Sequence, residues 1–243
     1  TDITVNDVTV GGNLNAKAVN ITAQNISAGK NAALNAETAL TAQNISAGAE
    51  LNAKAINITA ENITAGGKAT LNAGTQLTAH DVSVGGDLNA KAQNITATSV
   101  TGKGTAALTA DKDVTVTGAF SAHNAALTAG ENMTLGGKTD VGETLTAQVG
   151  NDLIAVGAVI TGKELIANVG NDLAVNDLVS TGGSASLTVG RNATLDGALS
   201  TGGNFTANVG NDLAANAAVL SHGRATIDAQ NVNLNADLMS DKN

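Results

Sequence analysis

The residues equipped for chemistry are few and far apart. His80, His123 and His222 are the only histidines, and no two stand at metal-ligand spacing, so structural or incidental roles suit them best. With no Cys there is no thiolate nucleophile, disulfide or Cys-ligated metal. Asp152, Asp172 and Asp212 recur in one phase, with Asn192 in the gap. Clustered carboxylates would suit Ca²⁺, yet the Gly-Gly-x-Gly-x-Asp pattern is absent and each copy supplies one carboxylate, which points to turn capping. Cleavage of an acidic polysaccharide needs Asp, Lys or Arg converging beside a groove, and Arg191 and Arg224 are the only arginines. No catalytic residue, metal or cofactor is expected, and the chain reads as a non-enzyme. Asn-x-Ser/Thr occurs at Asn20, Asn25, Asn44, Asn57, Asn62, Asn94, Asn132, Asn192 and Asn204; it reads first as a by-product of Asn placed before Ile-Thr segments, with glycosylation the alternative left open.

Those residues sit in an unusual background. The chain has 243 residues, 42% of them apolar, yet Phe120 and Phe205 are its only aromatics, so any core must be narrow. A net charge of -9 spread along the chain gives nucleic acid and anionic membrane surfaces little to bind. The longest apolar run, Leu153 to Ile160, is far short of the roughly 20 residues of a membrane helix, so no membrane insertion is expected. Starting at Thr1 without a charged-then-apolar leader, the chain reads as a processed or excised segment.

Self-similarity sets the architecture. Leu-Asn-Ala-Lys-Ala recurs at Leu14, Leu51 and Leu88, and Val-Gly-Asn-Asp-Leu at Val149, Val169 and Val209. Aligned on one position, twelve copies begin at 14, 32, 51, 69, 88, 106, 125, 145, 165, 185, 205 and 225. Each copy holds three apolar-alternating segments, such as Leu14 to Ala18, Ile21 to Ala23 and Ile26 to Ala28, closed by a Gly-rich turn. Period two means strand. Three strands and three corners per copy describe one turn of an all-β, right-handed parallel β-helix of about twelve coils, with Ile3 to Val10 the tail of an earlier one. It forms a single array over 1–243, with coils of 18–19 residues over 1–124 and of about 20 over 125–243.

The first strand of each copy pairs one bulky inward residue with an Ala. The bulky set is Leu14, Leu34, Leu51, Leu71, Leu88, Leu108, Leu127, Leu145, Leu165, Leu187, Phe205 and Ile227. Coils stack about 4.8 Å apart, so offsetting these residues between layers lets them interdigitate in a thin bore. Asn151, Asn171, Asn211 and Asn231, interrupted by Arg191, are expected to stack at one corner, where Asn and Gly would accept left-handed backbone and Asn amides would bond from layer to layer. Thr22, Thr41, Thr59, Thr78, Thr96, Thr115 and Thr134 form an outward column that reads as a solvated sheet face rather than an ice-binding one.

These units, notably Ser27-Ala28-Gly29-Lys30-Asn31-Ala32-Ala33-Leu34 and Val149-Gly150-Asn151-Asp152-Leu153, resemble the haemagglutinin-type repeats of filamentous haemagglutinin, a large exoprotein of two-partner secretion. The resemblance implies a secreted, cell-surface shaft that extends an adhesin or toxin module and serves adhesion and virulence. It implies the outer-membrane two-partner transporter as a partner, through an N-terminal domain with Asn-Pro motifs. This chain has no Pro, so that domain is not among its residues. A host receptor or glycan is the implied target, and a rod whose own side binds carbohydrate or host protein is the alternative reading.

Overall fold

One apolar and one polar residue in alternation give each segment a single face to bury, and a thin coil can bury it only against its own other sides and the coils stacked on it. In the computed structural model, which describes residues 1–242, this produces strands and no helix: 27 strands joined in one continuous sheet as a β-solenoid of about thirteen turns. Pairing is parallel, always to the coil before and after; Ile3–Val10 lies on Ile21 to Ala28 and so supplies a partial turn ahead of the twelve complete coils.

Corner size explains the repeat lengths. In the early coils the chain scarcely breaks: Leu14–Ala28, Ala32–Ala47, Leu51–Ala65 and Ala69–Val84 each run as one strand around all three sides. The 18-residue coil beginning at Leu14 turns its first corner with Val19 and Asn20, and the 19-residue coil above it adds one residue there, seen as a register shift after Ala18. In the coils that begin at Leu145, Leu165 and Ala185 the chain splits into three strands, such as Leu145–Val149, Leu153–Ala155 and Val159–Thr161, with three residues at every corner. Ala106 to Asn124 is the transition, since its first two corners have already grown.

The bore is mainly aliphatic, with Phe120 and Phe205 its two buried rings. Ten of the twelve bulky first-strand residues are buried; Leu14 and Ile227, on the end coils, are half-buried and pack against the core from one side. The expected offset is strict in the early coils, where Leu51 lies on Ala69 and Ala53 on Leu71. It lapses later: Leu108 lies on Leu127, and Leu145 on Leu165. Longer corners widen the bore there, and Val149, Val169, Val189 and Val209 take the third inward site that Ala18, Ala36 and Ala55 hold earlier. An apolar gap of about 30 Å³ between Leu145, Leu165, Leu187 and their neighbours marks the looser fit.

The corners correct one expectation. No described residue, glycine included, has a positive φ. Glycine is required for closeness instead: a Cβ on Gly150, Gly170, Gly190 or Gly210 would overlap the carbonyl of the glycine one coil before, and Gly162, Gly182 and Gly202 form a second such spine.

Candidate functional site

The polar residues singled out by spacing are mostly engaged in holding coil to coil. At a corner the backbone N–H preceding a strand needs an acceptor, and the side chain one coil earlier supplies it. Asp152 Oδ1 accepts from the N–H of Asp172 at 3.1 Å, and Asp172 Oδ1 accepts from Asn192 through both backbone N–H (3.1 Å) and amide (2.9 Å). Asp113 does the same for Asn132. These carboxylates cap turns, and among the described residues no group of three His, Cys, Asp or Glu is placed to hold a metal.

The expected Asn stack is displaced. Asn151, Asn171 and Asn211 do share a column, linked through Arg191 by backbone N–H to carbonyl bonds of 2.8–2.9 Å, but the one amide contact within it, Asn171 to Asn151, is 3.5 Å long. Asn231 leaves the column: it pairs with Asp212 and donates its amide to that carboxylate at 2.6 Å, because the last coil turns this corner one residue sooner. The closer side-chain contacts lie one residue along, where Asn192 donates its amide to Asp172 at 2.9 Å and Asp212 receives that of Asn231. A side-chain ladder, built largely on Asn-x-Ser/Thr residues, stands at the corner between the second and third sides of the early coils. Asn25 donates to Asp7 at 2.5 Å, Asn44 to Asn25 at 2.6 Å and Asn62 to Asn44 at 2.8 Å, and Ser99 continues it onto Asp81. Asn recurring at 18- and 19-residue steps was its signal, overshadowed by the sequon pattern. Six of the Asn-x-Ser/Thr amides, those of Asn20, Asn25, Asn44, Asn62, Asn132 and Asn192, are thus occupied as donors.

Another column is internal. Thr161, Thr181, Thr201 and Ser221 succeed one another on the third side with their side chains buried. Thr181 donates to the Gly183 carbonyl at 2.9 Å and Thr201 to that of Gly203 at 3.0 Å, whereas the hydroxyls of Thr161 and of nearby Thr139 have no partner.

The histidines lie apart and on the surface. His80 Nδ1 meets the Thr98 hydroxyl at 2.9 Å, His123 stands 3.9 Å from Glu143, and His222 Nδ1 is 2.8 Å from Asp241. Glu143 also takes Lys163 at 2.7 Å, and that hydrogen bond, opposed by some desolvation, holds its carboxyl below the ordinary glutamate range.

The outward threonines form the longest uniform column: Thr4, Thr22, Thr41, Thr59, Thr78, Thr96, Thr115 and Thr134 stack in register before Ile154 ends the run. Over the first six they wall an open groove of about 830 Å³. Gln24, Gln43, Glu61 and His80 wall the other side. Between the walls Ala23, Ala42, Ala60 and Ala79 turn their methyls into the bore, so backbone forms the floor. Compared with protein-family models, curated proteins and solved structures, the chain matches none.

Proposed function

We propose that this chain is a segment of the shaft of a large secreted bacterial surface exoprotein, and that its work is to hold an adhesive or toxin-bearing module away from the cell. The observation that carries the reading is the uninterrupted ladder: coil follows coil at 18–20 residues with no inserted loop, so the polypeptide is invested in length. At about 4.8 Å per coil the rod is roughly 60 Å long. A site for catalysis on such a rod would need groups converging from several coils, whereas the Asp and Asn side chains of the corners here bond mainly to the neighbouring coil.

The repeats' likeness to those of filamentous haemagglutinin supports the same reading, with export through an outer-membrane transporter and a host receptor or glycan met by the distal module. The absence of Cys and Pro is compatible with export as an unfolded chain that then winds into coils. The test is surface labelling of the native protein on intact cells with an antibody to these residues, before and after removal of whole coils from its gene. The shaft reading expects surface label in both cases and a shorter reach of the distal module after removal. Label found only after lysis, or a catalytic activity retained by the isolated chain, would overturn it.

A further inference from the structure

We propose that the groove over the early coils is a binding site for an unbranched, uncharged polysaccharide lying along the rod axis. The concavity is confined to the coils from Thr4 to Thr96 and is walled by a threonine column on one side and by Gln24, Gln43, Glu61 and His80 on the other. The hydroxyls of Thr22, Thr41 and Thr59 point outward without a protein partner, whereas Thr78 and Thr96 are reached by the Gln76 amide at 3.3 and 3.5 Å.

Three features choose the ligand. Glu61 and His80 are the only ionisable residues lining the groove, so it has no charge cluster for a polyelectrolyte. The strands beneath are already paired with the coils on both sides, which leaves no sheet edge for a peptide to extend. Polar groups repeat at the coil spacing of about 4.8 Å, out of step with the about 3.3 Å rise of an extended peptide. A pyranose unit is close to one coil in length and offers hydroxyls that can both donate and accept, as threonine does. Without aromatic platforms each sugar is held weakly, so affinity must accumulate with ligand length.

The test is calorimetric or NMR titration of the whole chain with β-1,4-linked glucose and N-acetylglucosamine hexamers, their monosaccharides, and polygalacturonate. A neutral hexamer should bind saturably and at least about tenfold more tightly than its monosaccharide. The double variant Thr41→Val/Thr59→Val preserves shape and strand propensity; it should weaken binding by about tenfold without altering the melting curve. Thr188→Val, exposed on another side of the rod, should leave binding unchanged. No saturable binding of either neutral hexamer, equal binding by the folded double variant, or tighter binding of polygalacturonate would overturn the assignment.

Discussion

At the scale of single residues, two kinds of position are informative because their neighbours set opposite expectations. Thr161 and Thr201 occupy the same buried column, but Thr201 has a carbonyl to donate to and Thr161 has none. A buried hydroxyl without a partner costs roughly 1–3 kcal/mol, so Thr161→Val should raise the unfolding free energy measured in urea by about 1 kcal/mol, while Thr201→Val should lower it by about as much. Glycines divide likewise. Gly170→Ala drives a methyl into the Gly150 carbonyl and should cost about 1–3 kcal/mol as overpacking, whereas Gly12→Ala meets nothing and should be neutral or stabilise by up to about 1 kcal/mol through the unfolded chain. Glu143 gives the pH term. Its lowered pKa means its contribution is complete above the ordinary glutamate range and fades as pH falls through the folded value. Lys163→Met should return that carboxyl toward the ordinary range in an NMR titration, and an unchanged titration would show that Lys163 is not the cause.

At the scale of strands and corners, the strands were legible from alternation alone, because period two admits one reading and twelve copies repeat it. The corners were legible in part. Coil length could be counted in the sequence, but which corner absorbed each added residue depended on packing, and so the Asn231 column was set one residue out. The buried hydroxyl column was missed for a related reason: Thr reads as an outward residue, although Thr161, Thr181 and Thr201 stand in the inward phase that Val141 holds one coil earlier. The threonine column was read correctly as a column, but that it walls a groove follows from how the second side meets the third, which alternation does not encode. The corner ladder has a direct test. Asp172→Ala removes the acceptor of two bonds from Asn192 and the Arg191 partner at 3.9 Å, and should lower stability by about 1 kcal/mol, since water reaches this half-buried site. Asp172→Asn keeps an oxygen in place and should recover most of the loss; equal destabilisation by both variants would mean that the charge, not the acceptor, matters.

For the whole molecule, length is the property that the sequence writes most plainly, and it should be separable from fold. Each coil touches only the coils before and after it, so stability should approximate a sum of coil terms and interface terms. Removing residues 165–184 takes out one complete 20-residue coil and closes the ladder on a sound register. Leu145 would then face Ala185, Ala147 would face Leu187, and Gly150 would meet Gly190, restoring the large-on-small offset that the early coils use. At roughly 0.05–0.15 kcal/mol per residue the loss should be about 1–3 kcal/mol, with the strand signature retained in circular dichroism and the longest dimension in small-angle scattering shortened by about 4.8 Å. Removing residues 165–174 instead joins a corner of one coil to a strand of the next. The glycine spine and the Asp152 column would then meet side chains for which there is no room or partner. That shorter deletion should be the more damaging of the two, abolishing a cooperative transition in the later coils. If the ten-residue deletion were tolerated as well as the twenty, stacking would not depend on register, and the case for a rod built to a counted length would fail with it.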